Sequence, residues 1–183
     1  MGIVAAQSRR RQKILIETFQ RRSFLKQRSD VLTTPRTREI WRDDDWAQFG
    51  RAYQWMRGQY SQRVQPLPPA KALLWGWPSP HFEDMQYKRL NDPRTASVRI
   101  WAEVPDDLIL ASNFDGWHYI LSELRFHRNN TDMPITQDWE TLFDRQWLVA
   151  HDFYNEKYSG DQVVFPYIRR EWIQKVKYFR GQY

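Results

Sequence analysis

Leu108-Ile109-Leu110-Ala111-Ser112-Asn113-Phe114-Asp115-Gly116-Trp117-His118 is the stretch from which the fold is read. Its first four residues form an apolar run of strand length. From Phe114 onward the apolar period changes: Phe114, Trp117, Ile120, Leu121 and Leu124 fall on one stripe of a helix, predicted over 114–126. A strand that passes directly into a helix implies an α+β domain. Asp115, His118 and Ser122 lie along one flank of that helix. Asp115 and His118, one turn apart, form a candidate acid–base pair. The plainer alternative is that Asp115 or Asn113 caps the helix and His118 bonds a backbone carbonyl.

Upstream, Ser97–Val104 alternates, with Val98, Ile100 and Ala102 on one side of a strand and Trp101 on the other. Pro105-Asp106-Asp107 turns it into the 108–111 run. Ala72–Trp77 is a further strand, stopped by Pro78. Trp75 and Trp77 flank Gly76, so both indoles share a face. A bare glycine between them lets a flat ligand approach the backbone; the alternative is two core tryptophans with Gly76 relieving their crowding. Residues 78–96 make a long polar connection of the kind that carries function, with His81, Glu83, Lys88, Arg89 and Arg94. His81-Phe82-Glu83 matches half of a deaminase zinc motif, but the chain has no cysteine to complete it.

Ile14–Phe19 reads as the first strand and Ser23–Gln27 as a short helix. Trp46, Phe49, Tyr53, Met56 and Tyr60 recur at helical spacing and predict a helix over 46–64. Asp43, Asp44 and Asp45 stand at its positive end, where they act as caps; consecutive side chains diverge too much for a metal site. Downstream, Thr136 is expected to cap a helix with Asp138 and Glu140 in its first turn and Trp139, Leu142, Phe143 and Trp147 inward. Asp161–Ile168 and Lys175–Phe179 are the last strands. With a basic disordered tail at 1–13, the reading is one α+β domain over 14–183: a mixed or split sheet flanked by about three helices.

The net charge is +6, with arginines crowded before residue 40 and a second basic cluster at Arg169, Arg170, Lys175, Lys177 and Arg180. Such patches attract polyanions, or simply keep a domain in solution. Aromatic residues make up 16% of the chain, enough to serve both a core and flat platforms for bases. The lack of cysteine excludes disulfides and a thiolate nucleophile and fits a cytoplasmic setting. No apolar run spans a bilayer, so no membrane partner is expected. No phosphate-binding glycine loop, metalloprotease helix or nucleophile elbow occurs.

Four segments together resemble a bacterial and phage family, domain of unknown function 3841. They are Trp75-Gly76-Trp77, Glu103 through Asp107, Ser112 through Leu121 and Gln162 through Phe179. Tyr53, Trp55 and Met56 repeat its Tyr-x-Trp-Met helix end, and Glu17-Thr18-Phe19-Gln20 stands where members usually have Trp-Thr-Ile-Gln. The resemblance covers roughly 14–180. It implies the extent of the domain and no activity. A second, fainter likeness is to the ADP-ribosyltransferase fold, in which a split sheet grips NAD and a late-strand glutamate serves the ribose. Gln162 occupies that place here. A glutamine hydrogen-bonds a ribose hydroxyl but supplies no anion for a developing cation, and a shared fold does not transmit function.

The expectation is therefore a nucleotide-handling pocket of NAD or ADP-ribose type, active or degenerate. Asp115, His118 and Gln162 are its candidate catalytic residues. Thr18, Trp75, Trp77, Arg89 and Trp117 are its candidate substrate contacts, with the 78–96 loop above. NAD is the cofactor such a pocket admits, and no metal is expected. Two alternatives stand beside it: a nucleic-acid-binding module using the basic termini, and a phage counter-defence factor that binds a host protein in the host cytoplasm.

Overall fold

Strand β1 (Lys13–Arg21) runs through the interior of a six-stranded sheet. The computed structural model describes residues 12–34, 49–68, 71–80, 88, 94–154 and 160–182. After β1 come a 3₁₀ turn (Arg22–Lys26), β2 (Val31–Leu32), α1 (Gly50–Arg63), β3 (Leu74–Pro78), β4 (Ala96–Pro105) and β5 (Leu110–Asn113). Next are α2 (Phe114–Leu121), α3 (Ile135–Asp138), α4 (Arg145–Ala150), β6 (Asp161–Phe165), β7 (Ile168–Arg169) and β8 (Ile173–Arg180). The large sheet has the order β5-β6-β3-β1-β4-β8, and β2 pairs with β7 apart from it. All of these pairings are antiparallel.

The sheet is split. β1 and β4 stay in register from Lys13↔Pro105 to Arg21↔Ser97, whereas β1 and β3 pair only at Ile16↔Pro78 and Glu17↔Trp77. β3 gives its other end, Leu74 to Gly76, to β6. Gly76 is what allows the join. A Cβ there would lie 2.6 Å from Ile16 Cγ2 and 2.8 Å from the Glu17 carbonyl oxygen. The space beside this glycine is thus filled by β1 and Phe165, so the crowding it relieves comes from neighbouring strands rather than from the two indoles.

Strand alternation sorts side chains onto two faces. On one, Ile16, Leu74, Val98, Ile100, Val163 and Phe165 bury against Phe24, Leu32, Ile168 and Trp172. On the other, Trp75, Leu110 and Val164 lie under the helices with Met56, Tyr60, Trp117, Ile120 and Leu148. Each such aliphatic side chain contributes about 1.5–3 kcal/mol on burial. The described helices pack on the β5-β6-β3 half. By register, β1, β4 and β8 present Glu17, Phe19, Arg99, Trp101, Lys175 and Lys177 on that same side.

Several expected boundaries move. The helix from Phe114 stops at Leu121 rather than 126. Glu123 takes a positive φ of 53°, Leu124 N–H donates to the Tyr119 carbonyl, and the chain turns back to bury Phe126. Pro134, not Thr136, stands at the cap position of α3; Asp138 does lie in its first turn, and it is buried there. The 161–168 strand breaks at Pro166, which has no N–H for the ladder, and Ile168–Arg169 cross to β2. Trp46, Asp43–Asp45, His81, Arg89 and most of the basic tail lie outside the described residues. Among the described residues no helix is long and apolar enough to cross a membrane.

Candidate functional site

The turn from β5 into α2 is built by Asn113. Its Oδ1 accepts the Gly116 N–H at 2.7 Å, and its Nδ2 donates to the Phe153 carbonyl at 2.9 Å. With the cap supplied there, Asp115 stands exposed. His118 is exposed too, with Nδ1 2.9 Å from the Phe114 carbonyl and its ring edge-on to Phe114 at 4.5 Å. It is held by its own helix, not by Asp115.

Trp117 is buried and packs 4.7 Å from Trp75, and Tyr53 closes on both rings edge-on at 5.5 and 5.7 Å. Burial there pushes the Tyr53 phenol up to about 12. Trp77 sits between Phe19 at 5.8 Å and Phe114 at 6.4 Å. Thr18 is buried, donating to the Trp75 carbonyl at 2.6 Å and accepting from Gln20 Nε2 at 2.9 Å. Gln162 is buried opposite Ser112, its Nε2 3.4 Å from the Ser112 hydroxyl. The structure thus gathers Thr18, Trp75, Trp77 and Trp117 about the β1–β3 join. Asp115 and His118 face outward instead, and Gln162 is turned to its neighbouring strand. The capping and carbonyl-bonding alternative describes the Asn113–His118 turn.

A second polar group, one that no sequence pattern singled out, lies on the β1-β4-β8 half of the sheet, which carries none of the described helices. Glu17 and Arg99 are both buried. Arg99 Nε donates to Glu17 Oε2 at 3.1 Å, and Ser79 Oγ donates to Oε1 at 2.6 Å. The guanidinium also lies 4.4 Å from the Trp101 ring and 5.6 Å from the Phe19 ring. From the edge strand, Lys175 approaches Trp101 at 4.9 Å, and Phe179 meets Phe19 edge-on at 6.3 Å. The β4–β8 register shifts between Trp101 and Ala102, the kind of irregularity that re-aims an edge strand's side chains. Cations and aromatic rings therefore interleave across three strands. The signal for this in the sequence is the alternation Arg99-x-Trp101-x-Glu103 against Val98, Ile100 and Ala102.

No curated protein and no solved structure matches the chain. A family model described as a domain of unknown function (DUF3841) matches residues 18–171.

Proposed function

The chain belongs to the DUF3841 family, and from that premise we propose that it is a nucleic-acid-binding domain whose β1-β4-β8 face takes a single strand. The observation that carries this reading is the row Lys175–Trp101–Arg99–Phe19–Phe179. Single strands are bound by aromatic faces that stack bases beside cations that track phosphates. Glu17 neutralises Arg99, so phosphate contact falls to the exposed Lys175 and Lys177. The net charge of +6 favours the same partner.

A pocket of NAD or ADP-ribose type on an ADP-ribosyltransferase-like sheet has less support. The split sheet suits it, but Trp75 and Trp117 pack on each other and Gln162 on Ser112. The two readings separate by titration. A labelled oligonucleotide followed by anisotropy loses affinity steeply as salt rises from about 50 to about 200 mM if phosphate contacts dominate. Trp101→Ala weakens it about tenfold, the loss of one stacked base. The charge reversals Lys175→Glu and Lys177→Glu each lower the salt slope by about one. Salt-independent binding, or unchanged affinity in all three variants, overturns the proposal. A thermal shift with NAD that persists in salt supports the pocket instead.

A further inference from the structure

Beside the end of α4 lies an open depression of about 440 Å³ whose lining includes His127, Arg128, Asn129, Asn130, Trp147 and His151. The loop that forms one wall is pinned from below, since Arg125 donates to the Asn130 carbonyl at 3.2 Å and the Met133 carbonyl at 2.7 Å. Under it sits the Asp138 carboxylate, fully buried. It accepts the Phe126 N–H at 2.6 Å, the His127 N–H at 3.1 Å and His127 Nδ1 at 2.8 Å. A carboxylate that only accepts requires the proton on Nδ1, so in the neutral imidazole the His127 lone pair is on Nε2. His151 repeats the arrangement with a different acceptor. Its Nδ1 lies 2.8 Å from the Trp147 carbonyl, and its ring stacks on the Trp147 indole at 3.8 Å and 11°. His127 approaches the same indole at 4.9 Å. Both imidazoles are thereby held through Nδ1. Among the described residues neither Nε2 has a hydrogen-bond partner.

We propose that this depression is an acid–base site for an RNA phosphodiester, with His127 and His151 supplying the two Nε2 atoms and Arg128 the positive charge. Two imidazoles and a cation suffice when the nucleophile belongs to the substrate, as the 2′-hydroxyl of RNA does. His127 Nε2 takes the 2′-hydroxyl proton while the 2′-oxygen forms its bond to phosphorus. The bond from phosphorus to the 5′-oxygen breaks, and His151, entering as the imidazolium, gives its Nε2 proton to that leaving oxygen. The products are a 2′,3′-cyclic phosphate and a 5′-hydroxyl, and proton exchange with water restores the pair. Arg128 neutralises the phosphate, and Asp138 is a positioning residue that orients His127. A structural role explains the two Nδ1 contacts but not why both imidazoles line one concavity with an arginine.

This site uses none of the residues of the β1-β4-β8 face, so each proposal fails or stands separately. The full chain is incubated with a labelled RNA and with DNA of the same sequence, and the ends are identified. RNA cleavage leaving a cyclic phosphate, with DNA intact, is expected. His127→Gln lowers the rate about 100-fold or more, the usual weight of one acid or base. His151→Phe does the same while keeping the stack on Trp147, so it decides the matter if His127→Gln misfolds. Trp101→Ala, on the other face, leaves the cleavage products as a 2′,3′-cyclic phosphate and a 5′-hydroxyl, which separates this site from the binding face. No cleavage by the parent chain, equal cleavage of DNA, or parental rates in His151→Phe overturns the proposal.

Discussion

Glu17–Arg99 and Asp138–His127 are two buried carboxylates, each facing a nitrogenous side chain, and they end differently. In the first, both partners are buried and both carboxylate oxygens are taken, by Arg99 and by Ser79. In the second, the carboxylate is buried but the imidazole is 39% exposed, with one nitrogen turned away from its partner. The closed pair joins β1 to β4 and to Ser79, just after β3. The open pair orders a loop and leaves a reactive atom at the surface. The difference lies in the geometry of the partner. A guanidinium meets a carboxylate with several donors at once, whereas an imidazole has two nitrogens on opposite sides of a ring.

The largest effect is expected at the closed pair. Glu17→Gln removes the carboxylate charge from beside the buried Arg99 guanidinium, which costs about 3–5 kcal/mol. Replacing both, Glu17→Leu with Arg99→Met, recovers most of that loss, because an apolar pair of similar volume needs no desolvation compensation. Chemical denaturation of the single and double variants measures this. A single variant within about 1 kcal/mol of the parent would mean that water reaches the guanidinium, on the scale of an exposed pair, and the contrast with Asp138 would collapse.

Next in size is the open pair. Asp138→Ala strands the buried Phe126 amide, which costs about 1–3 kcal/mol, and the His127 amide, which costs less because that residue is half-exposed. His127→Gln, by contrast, removes only the half-exposed member and costs less than about 1 kcal/mol. Equal losses from the two changes would show that the imidazole is as structural as Arg99. A wide gap sharpens the view that its outer nitrogen serves something other than stability.

Neither pair is visible in the sequence, and the reason is distance along the chain. Glu17 and Arg99 are 82 residues apart and meet only because the β1–β4 register sets Phe19 beside Arg99 and Glu17 beside Trp101. Asp138 is legible as an acid near a helix start. Its true partners, 11 and 12 residues back, depend on how the 122–133 turn closes. What can be read is local. Period-two alternation locates β4, and the stripe at Trp117, Ile120 and Leu121 locates α2 and its apolar face. The end of α2 cannot be read, because it rests on Glu123 adopting a left-handed backbone. The Phe-Asp-x-Trp-His segment misleads for a related reason. Its polar residues suit chemistry and helix capping equally well, and only the Asn113–Gly116 bond shows which is in use.

The smallest expected effect carries the contrast to a group governed by burial rather than by a charged partner. Tyr53 packs between Trp75 and Trp117 on the helix-covered half, and burial raises its phenol from 10.0 to about 12. Above pH 10 the unfolded chain gives up this proton while the folded chain keeps it, so the unfolded state binds fewer protons and stability falls as pH rises. The contribution is whole below pH 10 and is lost progressively toward pH 12, beyond which both states are ionised. Tyr154 falls in the same window, through burial first and then its bond to Asp161. Tyr53→Phe therefore flattens part of the alkaline decline in a denaturation series, and Tyr53→Phe with Tyr154→Phe flattens more. An unchanged slope in the single variant would mean that the Tyr53 hydroxyl reaches water past the two indoles. The covered half of the sheet would then be wetter than its packing indicates, and closer in character to the face that carries Lys175 and Trp101.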